Sequence, residues 1–173
     1  LYRTIFNSKR NLKREKNIEI NCPAKALTIA YFGQSNSTNK VRPLANLNIN
    51  KNIYQYDWKT GNCYLYQEPL LAVHGKFGNV ISYTAIEFIR NHPNKSLLII
   101  PFGIGGSSVL DWSYGYLSYL HDLVLESVKD NGLYPDIFLW HQGEDDRRHK
   151  NSNPQNLFNI SNFQKAQRKN MTK

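Results

Sequence analysis

The 173-residue chain is predicted to fold as an α/β domain built on a parallel sheet. Three apolar runs, at 26–32, 97–102 and 136–140, carry the prediction. They are too short for helices of ordinary length and are rich in β-branched and aromatic residues, which favours buried strands. Helical patterns separate them, and each run ends in a short polar loop containing glycine. Alternating strands and helices are the pattern of a parallel sheet, and such sheets bind ligands beyond the carboxyl ends of their strands.

Residues 1–24 are polar, basic and irregular up to Pro23. They are read as a lead-in, with the folded domain assigned to 25–173. The first strand, with Leu27, Ile29 and Phe32, stops at Gly33. Residues 36–69 are rich in Asn, Tyr and Gly with weak periodicity. Most of this stretch is expected to be a long surface excursion, with short strands around 53–56 and 63–66. A helix follows, in which Val80, Thr84 and Phe88 beside Ile81, Ala85 and Ile89 make a broad apolar stripe. Asn79 is placed as its N-cap, and His92-Pro93 ends it. The second strand, at 97–102, runs into Gly103-Ile104-Gly105-Gly106. A second helix at about 116–129 sets Leu117, Leu120, Val124 and Val128 on one side and stops at Asn131-Gly132. The third strand, at 136–140, runs into Gln142-Gly143.

The formal charge of +9 is carried by the ends. Residues 1–24 hold six Lys/Arg against two acids, and residues 147–173 hold seven with no acid, whereas the centre is net −2. A nucleic-acid reader concentrates positive charge on an ordered face, so no nucleic-acid partner is expected. No apolar run approaches the roughly 18 residues of a membrane span, so no membrane partner is expected either. The chain opens at Leu1 without a signal-like stretch, and any targeting segment is read as removed or never present. Cys22 and Cys63 form no metal-ligand spacing. They either pair in an oxidising compartment or remain two thiols, which leaves localisation open between secreted, cell-envelope and cytoplasmic sites. Oligomeric state is not encoded legibly.

The loops carry the chemistry. Ser35 lies two residues past a buried strand and can present both Oγ and its own N–H at the sheet edge. Gly105-Gly106 lets backbone approach a substrate without a Cβ in the way and so offers a second N–H. Gln142 offers a side-chain NH₂ as a third donor. A nucleophile with convergent donors is the equipment for acyl transfer. Gly33-Gln34-Ser35-Asn36, Gly105-Gly106-Ser107-Ser108 with Trp112, and Trp140-His141-Gln142-Gly143-Glu144-Asp145-Asp146 together resemble the SGNH hydrolases. The similarity is greatest to sialate O-acetylesterase-like proteins and the acetylxylan esterases of carbohydrate esterase family six, and it spans about 26–146.

The resemblance implies a three-layer α/β/α sandwich with a parallel flavodoxin-like sheet, and a serine esterase that removes O-acetyl groups from a carbohydrate. It implies Ser35 as nucleophile, and Ser35, Gly105, Gly106 and Gln142 as oxyanion donors. Glu144 is implied as a catalytic carboxylate that orients the histidine, and Asp146 as structural. Gln34, Asn36, Ser107 and Trp112 are the candidates for substrate contact, with Trp112 and Trp140 read as core or pocket wall. No metal or cofactor is implied; the Glu144–Asp146 carboxylates are read as a solvated loop, and the glycines at 103, 105 and 106 fit no nucleotide-binding pattern. The family's base is a histidine in a D-x-x-H block after further strands. Asp146-Arg147-Arg148-His149 matches those letters but abuts the Gln142 block, so it is read as coincidence and the domain as incomplete at its C-terminus. His74, His92, His121 and His141 are read as structural or solvent-facing. The alternative function is a non-catalytic glycan-binding relic of such an esterase.

Overall fold

In the computed structural model, residues 17–42, 44, 52–146 and 168 are described. Six strands form one sheet: β1 (Glu19–Ile20), β2 (Leu27–Gly33), β3 (Ile53–Asp57), β4 (Asn62–Leu65), β5 (Leu97–Gly103) and β6 (Ile137–His141), in the order β1-β4-β3-β5-β2-β6. Packed with them are the helices α1 (Val80–Asn91), α2 (Val109–Ser113) and α3 (Tyr116–Asp130), and residues 144–146 after β6 are also helical.

Side-chain alternation along β2 and β5 divides the core between the two sheet faces. Ile29, Tyr31, Leu97 and Ile99 pack with Ile81, Ala85 and Ile89 of α1. Ala30, Phe32, Leu98, Ile100 and Phe102 pack with Leu117, Leu120, Val124 and Val128 of α3. Helices therefore cover both faces. Asn79 caps α1 by accepting from the Ile81 N–H, and His92 follows the last turn. Val80, expected on the apolar stripe, stands exposed at the start of α1.

Two expectations are corrected. The sheet is mixed, because β4 runs antiparallel to β3 and β1 antiparallel to β4. Its parallel strands also lie in the order β3-β5-β2-β6, so the first of them sits between the third and fourth. A flavodoxin-like sheet sets the first strand between the second and third. The physical cause is the β3–β4 hairpin, which occupies the edge outside β5. The strands expected around 53–56 and 63–66 form as β3 and β4 and belong to the core, not to a surface excursion: Ile53, Tyr56 and Cys63 are buried, while Lys59 and Thr60 between them are exposed.

The lead-in residues that are described also join the sheet. Ile20 pairs with Cys63 across β1 and β4, and Cys22 forms a disulfide with Cys63, Cα–Cα 5.1 Å. The charged segments at both ends lie mostly outside the described residues. No described helix is long and apolar enough to cross a membrane.

This strand order places β2 at a switch point. The chain reaches β5 on one side of β2 through α1, then crosses to β6 on the other side through α2 and α3. At such a point the connections diverge and leave a crevice beyond the carboxyl end of the central strand.

Candidate functional site

The three loops begin level with one another. Gly33, the last residue of β2, pairs with Gly103 of β5 on one side and His141 of β6 on the other. Gly33 has φ +147°, and a Cβ there would lie 2.0 Å from the His141 carbonyl oxygen. Only glycine permits this approach. Immediately above it, the Gln34 N–H donates to the His141 carbonyl at 3.0 Å, and the Ile104 N–H donates to the Gly33 carbonyl at 3.1 Å. Backbone bonds thus join the start of each loop to its neighbour.

Ser35 opens a single 3₁₀ turn, Ser35–Ser37. The turn is closed by the Ser37 and Thr38 N–H groups donating to the Gln34 and Ser35 carbonyls at 3.0 and 3.2 Å. The Ser37 and Thr38 hydroxyls donate to the same two oxygens at 2.7 and 2.6 Å. Ser37 is buried against β5, where a Cβ on Gly103 would come within 2.7 Å of its Oγ. Ser35 itself is half-buried, and no hydrogen bond joins its Oγ to a described residue. Four bonds, two from backbone N–H groups and two from hydroxyls, therefore hold the turn while its first hydroxyl stays available.

On the β5 loop the two glycines differ. The Gly105 N–H donates to His74 Nδ1 at 3.4 Å, and a Cβ at Gly105 would fall 2.8 Å from Lys40 Nζ. Burial, with the Lys40 ammonium adding to it, holds the His74 pKa below the usual histidine value, so the ring is a neutral acceptor for that N–H. Gly106 has φ +76° with open space where a Cβ would stand, and its N–H donates to no described residue. Of the two expected donors, Gly106 is the free one.

Gln142, from the β6 loop, donates through Nε2 to the Ser107 carbonyl at 2.9 Å. That bond fixes the amide orientation and leaves its second N–H as a donor; Oε1 is buried without a hydrogen-bond partner among the described residues. Ser107 and Trp112, expected to touch substrate, do not face the crevice. Ser107 Oγ donates to the Ile104 carbonyl at 2.7 Å and accepts from Trp112 Nε1 at 2.8 Å. Both residues are buried, and Trp112 packs edge-on against Phe102 and Trp140. Their hydrogen-bonding capacity is spent holding the loop on the core.

The start of α2 is held by carboxylates. Ser108 and Asp111 form a capping box, a Ser-x-x-Asp spacing that is legible in sequence. Buried Asp146 accepts from the Val109 N–H at 3.0 and 3.2 Å, tying the β6 loop to the β5 loop. Burial raises its pKa against the lowering effect of that N–H.

Glu144 is the centre of a network that motif spacing does not specify. Its Oε2 accepts from Gln34 Nε2 and its Oε1 from Asn36 Nδ2. The same Oε1 lies 3.0 Å from His141 Nε2. His141 Nδ1 lies 3.4 Å from the Tyr31 hydroxyl, which is also 3.4 Å from the Asn36 carbonyl. Burial alone would raise the Glu144 pKa; its own backbone N–H, Asn36, Gln34 and His141 outweigh that and lower it. Burial first, and the Glu144 charge second, push Tyr31 up to about 12.

Gln34 is 1% exposed, so it faces Glu144 and not solvent, whereas Asn36 remains exposed beside it. His141, set aside in the sequence, was discoverable from pairing. It sits opposite Gly33, two residues beyond Tyr31 on the neighbouring strand, so Tyr31 and His141 share a sheet face. His121 is buried among Phe32, Trp112 and Trp140, and His92 lies on Phe88. His149 lies outside the described residues. Among the described residues no group of three or more His, Cys, Asp or Glu side chains is arranged to hold a metal ion.

No family model matches the chain, and no curated protein matches it. Among solved structures it is similar to a protein of Arabidopsis thaliana, with TM-score 0.51 and 17% identity over 84% of this chain and 70% of that one. At this identity the likeness is one of fold: a mixed α/β architecture.

Proposed function

We propose that this chain is a serine esterase of the SGNH type that removes O-acetyl groups from a carbohydrate. The observation that carries the reading is the register at the end of β2. Pairing of Gly33 with Gly103 and with His141 brings the loops bearing Ser35, Gly106 and Gln142 to one edge, at the switch point of the sheet. Ser35 Oγ attacks the acetyl carbonyl carbon. Negative charge develops on the carbonyl oxygen, and the N–H groups of Ser35 and Gly106 and the free N–H of Gln142 are its donors. Each such donor is typically worth about 3 kcal/mol in the transition state. The Oγ proton passes to a histidine base and then to the sugar oxygen as the ester C–O bond breaks. Water then hydrolyses acetyl-Ser35 to acetate, returning the proton to Oγ. In the family resembled, the base comes from a D-x-x-H block that follows further strands.

The sugar part of the reading has its own support. Leu110, Tyr114, Tyr116 and Tyr119 are exposed on α2, at its C-cap and on the first turn of α3, just past the β5 loop. Tyrosine offers a flat apolar face with a wet hydroxyl, which suits stacking on a pyranose ring. The same surface favours the second reading, a glycan-binding module without turnover. Acetate release from acetylated xylo-oligosaccharides and from O-acetylated sialic acid separates the two. The esterase requires release that disappears in Ser35→Ala, and binding of the oligosaccharide with no release would establish the second reading instead.

A further inference from the structure

We propose that Glu144 is a positioning residue whose carboxylate clamps the two side chains flanking Ser35 and so fixes the turn that presents the hydroxyl. The effect on catalysis rests on Ser35 being the nucleophile; the clamp itself does not. The resemblance assigns this carboxylate to the histidine base, but its oxygens are directed to the nucleophile's own turn.

The backbone of the turn is tied to β6 by the Gln34 N–H and to the start of α1 by Asn79 Nδ2, which donates to the Ser37 carbonyl at 2.9 Å; the side chains of Gln34 and Asn36 are what Glu144 holds. The internal bonds of the turn all engage the carbonyls of Gln34 and Ser35, and Gln34, which precedes it, makes no side-chain capping bond. These bonds close the turn without anchoring the side chains of Gln34 and Asn36. Glu144 supplies that anchor from the neighbouring strand end, reaching Gln34 and Asn36 across sequence separations of 110 and 108 residues. An ionised carboxylate has lone pairs enough for several donors, and bonds to it are stronger than neutral ones. His141 at 3.0 Å adds a further partner to Oε1, and the Tyr31 hydroxyl links His141 back to the Asn36 carbonyl. Tyr31, His141, Glu144 and Asn36 thus form a closed ring beside Ser35, whose members come from β2, β6, the segment just after β6 and the turn.

The titratable groups facing Glu144 are His141 from β6 and Tyr31 from β2. The Glu144 pKa is lowered, so the carboxylate stays charged through the ordinary carboxylate range. The clamp is complete above that range and is lost as pH falls through the lowered value. A residue acting through packing alone would show no such limb.

The test has two arms on the full chain. In the first, the side-chain amide resonances of Gln34 and Asn36 are followed by ¹H–¹⁵N NMR during acid titration. They are expected to move together, with a midpoint below the ordinary carboxylate range, and to stay still in Glu144→Gln. Resonances that do not move with pH, or that move equally in Glu144→Gln, overturn the clamp. In the second arm, acetylation of Ser35 by p-nitrophenyl acetate is expected to slow at least tenfold in Glu144→Ala, with less loss in Glu144→Gln, which keeps one acceptor. An unchanged rate in a folded Glu144→Ala overturns the positioning role. If acetylation is the same in Ser35→Ala, the nucleophile assignment fails instead, and the NMR arm still decides the clamp.

Discussion

Replacing Gly33 by alanine tests whether the edge of the sheet depends on close backbone approach at the end of β2. The added Cβ would lie 2.0 Å from the His141 carbonyl oxygen and 2.7 Å from its carbon. Both are backbone atoms of a paired strand, so no rotamer change relieves the contact, and β6 must move away from β2. The movement disrupts the Gln34 N–H bond to His141 at 3.0 Å and disturbs the Ile104 N–H bond to Gly33 at 3.1 Å, each worth about 1 kcal/mol. A non-glycine residue at φ +147° adds backbone strain of about 1 to 3 kcal/mol. The total is on the order of 3 to 5 kcal/mol, which at this chain length lowers Tm by roughly 10 °C. Gly106→Ala is the control: φ is +76° but nothing lies within 4 Å of the new Cβ, so only the conformational cost of about 1 to 2 kcal/mol remains. Thermal and urea unfolding followed by circular dichroism measure both. A Gly33→Ala cost no larger than that of Gly106→Ala would refute the close-approach argument and the loop register built on it.

Two further outcomes follow from the same contacts. Cys22 and Cys63 close a loop with a sequence separation of 41, which corresponds to about 4 kcal/mol of unfolded-state entropy; Cys22→Ser/Cys63→Ser is expected to lower the urea midpoint accordingly, and an unchanged midpoint would show that the bridge does not constrain the unfolded chain. Asp146→Ala leaves the buried Val109 N–H unpaired, a cost of about 1 to 3 kcal/mol. Because burial raises the Asp146 pKa, its contribution to stability falls as pH rises from the ordinary Asp value through the raised one. Asp146→Asn is expected to flatten that slope in pH-dependent unfolding, and a slope identical to that of the native chain would contradict it.

The parts of this fold legible in sequence are those set by local chemistry. The apolar runs became β2, β5 and β6, Asn79 became a cap, and the four apolar positions of α3 are buried. What pairing decides was harder to read. Residues 53–56 and 63–66 could be read as strands but not as an extension of the sheet, because the parallel contact of β3 with β5 depends on a strand some 40 residues later and leaves no local periodicity. The cysteines remained open for the same reason, since a bridge requires the chain to bring two Cα atoms within about 7 Å. Ser107 and Trp112 were candidates for substrate contact through the family resemblance; the loop after β5 and the start of α2 fold back on the core and use their polar atoms internally. The Tyr31–His141 juxtaposition depends on register between adjacent strands, which single-chain periodicity does not report. The short helix α2 was missed although its Ser108–Asp111 capping spacing is visible, because five residues are too few to show a helical stripe.

The central claim is that Ser35 is an acyl acceptor served by donors from two neighbouring loops. Mass spectrometry of the chain after brief exposure to p-nitrophenyl acetate tests it most directly. The expected result is an acetyl group on the peptide containing Ser35, absent in Ser35→Ala and formed more slowly in a Gln142 variant that lacks the side-chain NH₂, such as Gln142→Leu. Acetylation confined to other residues, or equal in the native chain and Ser35→Ala, would contradict it.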